Sequence, residues 1–421
     1  MKSTELLKPI LEGGVRSINF FNGRLLTGED LTKEQAANRE WLGRLGKLLG
    51  SGVASGLTVS PSSTAGKPSV IVDPGLAVNS LGQTLKLTDP LEVSLLRPEG
   101  DEQPVFLPPK KDFGDCEPSE QGIYRTGDGV YLLTIAPAGA VEGSVPTSGL
   151  GNLAASCATR FLVDAVKFRL ISISSHFTTD ELMGPRLRNL VAERCFGVSS
   201  SRALVTDPFG PAPASERLLE KLGQAKKLPA GDVPLAVVHW TAEGGVDFID
   251  HFSVRRRLAG PPDELVWSPA LGDRALAEAE AMLLQFQDHL DDLVHKGSPE
   301  TAIATEHLRT LPPAGIVPLA GTPGFKGVFP RVFFQGAKLR DPVFIEGARV
   351  GALLREALRY PPVDLESAPV LWVYRVSDNA RRADGLTGAP VQPYAVFASA
   401  EIPWAGQALF DISRWGYASF T

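Results

Sequence analysis

Glycine and proline punctuate this chain so often that it has little room for long regular elements. There are 42 glycines and 34 prolines among 421 residues. Glycine reaches positive φ at no steric cost, and proline fixes φ and lacks an N–H, so both break helices and strands. Many short strands joined by ordered loops are expected. Two windows nevertheless carry helical periodicity. In residues 30–49 the apolar residues Leu31, Trp41, Leu42, Leu45, Leu48 and Leu49 recur near helical spacing. Thr27, three residues before Asp30, offers a cap, and Gly50 stops the helix. In residues 273–295, Leu276, Ala279, Leu283, Phe286, Leu290 and Leu293 fall on a and d positions of three heptads. That stripe fits either packing on its own domain or a helix seam between subunits.

The rest reads mainly as strand. Residues 15–21 have strand character, Asn22-Gly23 suits a two-residue hairpin turn, and residues 24–26 would return. An antiparallel meander follows in 53–60, 70–73, 76–79 and 84–87, with turns at Pro74-Gly75 and 80–83. Residues 97–128 read as a long surface loop. Strands are expected at 130–135 and 161–173, although Asp164 and Lys167 leave a helix open in the second. Residues 181–195, interrupted at Gly184-Pro185, and 215–226 read as helical, and 234–240 with 246–254 as a hairpin. Beyond residue 310 the strand candidates are 331–335, 343–345, 370–376, 395–400 and 408–412, with a short helix at 350–359. The fold class is α+β, mainly β. Its expected parts are an N-terminal hairpin–helix docking unit (1–50), a central antiparallel β-sandwich-like domain with helical insertions (51–260), a linker and long helix (261–310) and a C-terminal β domain (311–421).

Composition excludes several classes. Hydrophobic residues make up 43% and charged residues 21%, ordinary for a globular protein that buries its own core. The formal net charge is −6, the wrong sign for a nucleic-acid surface. The N-terminal stretch is too polar for a signal peptide, and no apolar run approaches the roughly 18 residues needed to span a bilayer. The expectation is synthesis in the cytoplasm and no membrane span. Cys116, Cys157 and Cys195 are odd in number and far apart, which fits reduced thiols in core or loop positions.

No constellation for chemistry emerges. Gly50, Ser51, Gly52 and Gly56 have one residue too many for a dinucleotide fingerprint and lie between a helix and a strand, the reverse of what phosphate binding needs. Gly66-Lys67 lacks the upstream glycine of a phosphate loop, and no Gly-x-Ser-x-Gly elbow occurs. Asp291 with His295, and His289 with Asp292, have ligand-like helical spacing but need a third ligand. His239 beside Trp240 reads as a structural histidine. His251 near Asp247 and Asp250 is the one base-with-carboxylate pattern, without a nearby nucleophile. Arg255-Arg256-Arg257 would alternate across a strand. Trp372, Tyr374, Trp404, Trp415 and Tyr417 fit either a β core or a sugar-binding surface. No catalytic residue, metal or cofactor is expected. The alternatives are a glycan-binding module built on those aromatics and a hydrolase with a site assembled from distant segments.

One set of ordered motifs is more specific. Residues Phe20-Phe21-Asn22-Gly23-Arg24-Leu25-Leu26-Thr27 lead to Asp30-Leu31, Glu34-Gln35 and Arg39. Gly52-Val53-Ala54-Ser55-Gly56-Leu57-Thr58-Val59, Val72-Asp73-Pro74-Gly75-Leu76-Ala77 and Leu81-Gly82-Gln83 follow. Shorter matches are Val233-Pro234-Leu235-Ala236, Phe248-Ile249-Asp250, Val254-Arg255-Arg256-Arg257 and Leu311-Pro312-Pro313-Ala314-Gly315. This order resembles a family of bacterial and phage proteins encoded with contractile tail-like injection systems. The resemblance is densest over residues 18–87 and sporadic to about residue 375. It implies a non-enzymatic structural protein at or near a baseplate, assembled as a trimeric or six-fold homo-oligomer with other tail or baseplate proteins. It carries no catalytic residues. The chain departs from the usual pattern at Gly43 and Gly46, where helix formers are typical; close packing against a neighbour would explain them. The candidate interface residues are Phe20, Phe21, Arg24, Trp41, Leu276, Leu283, Phe286 and Leu290.

Overall fold

Thr27 and Asp30 cap the first helix reciprocally. The Asp30 N–H donates to Thr27 Oγ1 at 3.2 Å, and the Thr27 N–H donates to the Asp30 carboxylate at 3.1 Å. From there α1 (Gly28–Leu49) runs to Gly50, whose φ of +80° ends it. The structure is a computed structural model that describes residues 14–23, 25–62, 69–98, 123–125, 128–147, 156–198, 217–241, 244–256, 273–386 and 388–400. Among the described residues no strand is paired before α1, where a hairpin is the expectation. Residues 14–21 are irregular, the chain turns at Asn22-Gly23, and the Ile18 N–H donates to Glu34 on α1 at 3.1 Å.

Short strands follow: β1 (Gly52–Gly56), β2 (Val59–Pro61), β3 (Ser69–Val72), β4 (Gly75–Val78), β5 (Thr84–Leu87), β6 (Leu91–Ser94), β7 (Leu96–Pro98) and β8 (Ile123–Arg125). A single strand is the expectation over 53–60. Leu57, at φ +55°, instead breaks it into β1 and β2, which serve different sheets, β1-β4-β5 and β2-β3-β6. The larger sheet has the order β10-β9-β11-β12, from β9 (Gly129–Thr147), β10 (Ser156–Ser172), β11 (Val233–Thr241) and β12 (Gly245–Asp250). Its side chains alternate with period two. Leu133 and Val238 join Val53, Leu57, Val72 and Leu85 of the small sheets in one core. Leu132 and Val237 face the other way, onto α3 (Leu187–Phe196) and α4 (Leu218–Gln224), which follow the short α2 (Thr179–Met183). The strand expected over 246–254 ends at Asp250. Arg255 and Arg256 lie beyond it, the former donating to the Gly56 carbonyl, and Arg257 is outside the described residues.

The long helix α5 (Asp273–Lys296) packs on the C-terminal part of its own chain. Phe286 and Leu290 are 1% and 3% exposed, buried with Val317, Val373 and Phe397. Phe286 meets Phe397 edge-on at 5.4 Å. The Gln287 amide clasps both backbone groups of Ile316, at 3.0 and 2.7 Å. These residues therefore cannot form the inter-subunit seam that their heptad positions allowed. Leu283 is half-buried, and Leu276 remains exposed. The C-terminal sheet has the order β14-β18-β17-β15, after the two-residue β13 (Thr310–Leu311). Its strands are β14 (Ala314–Pro318), β15 (Lys338–Ile345), β17 (Val370–Val376) and β18 (Tyr394–Ala398), with β15 parallel to β17; β16 (Val363–Asp364) pairs with β13. Residues 331–335, expected as a strand, begin instead as a helical turn, Pro330–Phe333, with proline at the position where a missing N–H costs nothing. The fold is α+β, with several antiparallel sheets.

The central and C-terminal parts are latched by buried polar groups. Arg188 on α3 donates to Asp288 and Asp292 on α5, the latter at 2.8 Å. The Asn189 side chain accepts from the Arg309 and Thr310 N–H groups and donates to the Thr310 carbonyl.

Candidate docking surface

What positions α1 is a contact between glycines. Gly46 packs against the backbone of Gly82 in the turn between β4 and β5, so tightly that a Cβ on Gly46 would lie 2.1 Å from the Gly82 carbonyl oxygen. Gly43 flanks this contact: a Cβ on Gly82 would lie 1.9 Å from the Gly43 oxygen. Of the two glycines that depart from the usual pattern, Gly46 thus brings the helix onto a turn of its own chain, while Gly43 contributes only its backbone oxygen to the contact. That turn is held by Asn79, which is fully buried. Asn79 Oδ1 accepts from the N–H groups of Leu81 and Gln83, and its amide donates to Gln83 Oε1 and the Gly231 carbonyl.

Leu31, Trp41, Leu42, Leu45 and Leu49 lie on an arc of α1 that starts beside Gly46, with Glu34 and Asn38 on the same arc. All are exposed, Leu42 at 65% and Leu45 at 59%. Phe20 and Phe21, in the segment before the helix, are exposed as well. The Arg44 guanidinium lies 5.5 Å from the Trp41 ring centroid and pairs with Glu40 at 2.7 Å. Arg24 is outside the described residues. From Trp41 to Leu49 the helix presents an open apolar stripe, a surface of the kind that marks protein contacts.

The residues considered for chemistry are engaged otherwise. His251 Nε2 accepts the Val59 N–H at 2.9 Å, so its lone pair holds β2 in place. Burial and the nearby Arg255 push its pKa down. Asp250 accepts from the Ser253 hydroxyl at 2.6 Å, and Asp247 pairs with His239 Nδ1 at 3.0 Å, so these two carboxylates do not converge on His251. The His239 contact pulls the Asp247 pKa below its ordinary value. His295 bonds to Asp291 on the surface of α5. His289 is buried, while Asp292 is taken by Arg188 and Lys296. Among the described residues no three His, Cys, Asp or Glu side chains are placed to hold a metal ion.

A groove of about 540 Å³ opens between α2, α3, α5 and β11–β12. It is lined by Arg188, His239, Asp247, His289, Asp292, Lys296 and apolar neighbours, with no hydroxyl or thiol side chain among its lining residues. Its charges are matched internally by the pairs just described. Of the C-terminal aromatics, Tyr374 is buried, Trp372 packs partly into the same core, and Trp404, Trp415 and Tyr417 lie outside the described residues. Cys195 is buried, its thiol pushed up to about 12 by desolvation.

No known family model matches the sequence, and no curated protein matches it. Among solved structures the chain is similar to TssK, with a TM-score of 0.20 and 7% identity, over 51% of this chain and 54% of that one. The match spans about half of each chain. Among the described residues no helix is long and apolar enough to cross a membrane.

Proposed function

We propose that this chain is a non-enzymatic structural component of a contractile, phage-tail-like injection particle, at or near the baseplate. It is made in the cytoplasm and joins the particle by docking the open face of α1 and Phe20-Phe21 onto a neighbouring subunit. The observation that carries this reading is the exposed apolar arc of a helix whose glycine edge is anchored to a rigid turn. The ordered motifs over residues 18–87, which build the helix and its foothold, supply the link to such particles. Assembly as a trimeric or six-fold ring belongs to the same reading.

The test is imaging of particles from cells carrying the chain with Leu42→Asp and Leu45→Asp. Both positions are open to solvent, so the variant should fold and melt like the parent. Particles should then lack this subunit or stop before the sheath. Normal particles with the variant at full occupancy would refute the docking role, and particles that never contain the parent chain would refute the assignment.

A further inference from the structure

β9 and β10 are 19 and 17 residues long. Their pairing runs without a register break, from Tyr131 opposite Ser172 to Thr147 opposite Ser156. The third strand, β11, pairs with β9 only from Gly129 to Ile135. Residues 138–147 and 156–165 therefore leave the sheet as a two-stranded arm, roughly 30 Å long at ~3.3 Å per residue. Both faces of the arm are apolar and open: Leu162, Val141 and Val145 on one, Phe161 and Val163 on the other, with Leu162 at 71% and Phe161 at 52% exposure. A two-stranded ribbon is marginal in water by itself, and an open apolar edge invites a further strand.

The order of residues on β10 says which strand fits. β10 is the edge of its sheet, and antiparallel pairing with itself about Leu162 is self-complementary. Leu162 then faces its own copy. Arg160 faces the partner copy's Asp164, and by symmetry Asp164 faces Arg160. On the other face Phe161 meets Val163, an aromatic against a β-branched residue. Opposite charges and aromatic–β-branched neighbours are the favoured cross-strand pairs. Moving the centre to Phe161 or Val163 sets charges against apolar residues. The β9 edge has no such solution, because its one charged residue is Glu142. In the single chain the Arg160 guanidinium rests 5.0 Å from the Phe161 ring centroid, free of any carboxylate among its described contacts. We infer that the β9–β10 arm is a dimerisation element that joins two copies of this chain edge to edge, antiparallel, about a two-fold axis at Leu162. The contact is isologous and extends the four-stranded sheet across both copies. It uses residues separate from the α1 face and does not depend on the injection-particle reading.

Sedimentation of the full chain should show a reversible dimer. D164R, which opposes two arginines across the axis, should raise the dissociation constant about tenfold or more, and R160D should do the same. The double variant R160D/D164R restores both pairs and should recover the dimer, as should a mixture of the two single variants. A double variant as weak as the singles, or a parent chain that stays monomeric at every concentration, would overturn the inference. Cross-linking is an independent readout that needs no stability comparison. In a Cys116→Ser/Cys157→Ser background, Leu162→Cys lies on the axis and should form a covalent dimer under mild oxidation. Phe161→Cys is offset from its own copy by two positions and should not; equal cross-linking at both sites would contradict the register.

Discussion

Gly46 and Gly82 touch backbone to backbone, and this contact sets how α1 sits on the rest of the chain. An alanine at 46 would drive its methyl into the Gly82 carbonyl, 2.1 Å from the oxygen, and neither backbone can yield cheaply. Gly46→Ala should therefore shift the docking of α1 by about 1–3 kcal/mol, despite the better helix propensity of alanine. Gly43→Ala meets only the Leu81 oxygen at 3.5 Å, an ordinary contact, and should stabilise the helix by up to about 1 kcal/mol. Hydrogen exchange separates the two. G46A should lose protection in residues 28–49 while the sheets keep theirs, and G43A should gain it.

Asn79 makes the same turn rigid from below. Its side chain satisfies four groups, and residue 79 is sealed from water. Asn79→Ala leaves two N–H groups and the Gly231 carbonyl without that partner, a loss of about 1–3 kcal/mol per uncompensated buried group. Asn79→Asp keeps both accepted hydrogen bonds but brings a carboxylate toward the Gly231 carbonyl, so it should fall between parent and N79A in thermal stability. A midpoint for N79A equal to the parent's would contradict the role of Asn79 as the anchor of the turn.

Helical periodicity makes α1 and α5 legible in the sequence, and the Thr27 and Gly50 signals place the ends of α1 within two residues. What periodicity does not reveal is the destination of each apolar stripe. Leu42 and Leu45 look no different from Phe286 and Leu290 in spacing, yet one stripe is open and the other is sealed against Val317 and Phe397. That choice is made by distant strands, and local pattern holds no record of it. The arm is hidden for the opposite reason. Pro137, Gly139, Gly143 and Pro146 read as turn residues, so the extension of β9 past residue 135 carries no strand signature; the long register with β10 overrides it. At Leu57 the positive φ that splits one expected strand into two is offset by the fully buried side chain, a tertiary gain that sequence alone does not display.

Two positions on α5 should respond differently to truncation. Phe286→Ala removes a ring packed against Phe397 and should cost about 3–5 kcal/mol. Leu276→Ala, at an exposed position, should cost less than about 1 kcal/mol. Urea unfolding of both variants checks this. A mild F286A would mean that the helix does not carry the C-terminal core.

His289 links that core to pH. Burial and the adjacent Arg188 hold its pKa down, to about 3 against an ordinary 6.5, while Asp292 and Asp247 oppose the shift and His307 adds to it. Folded, the ring stays neutral through mild acid; unfolded, it takes up a proton near its ordinary value. The unfolded chain thus binds the extra proton below about pH 6.5, and stability falls as pH falls through that point. The expected loss from this residue is about 1 kcal/mol between about pH 7 and about pH 5.5. His176 and His251 are lowered too and add to the slope with the same sign. His289→Leu removes the titrating group, and with it a buried Nδ1 that has no hydrogen-bond partner among the described residues. Its melting temperature should match or exceed the parent's near neutral pH and decline less on acidification. Parallel declines in H289L and the parent would show that another group sets the acid sensitivity.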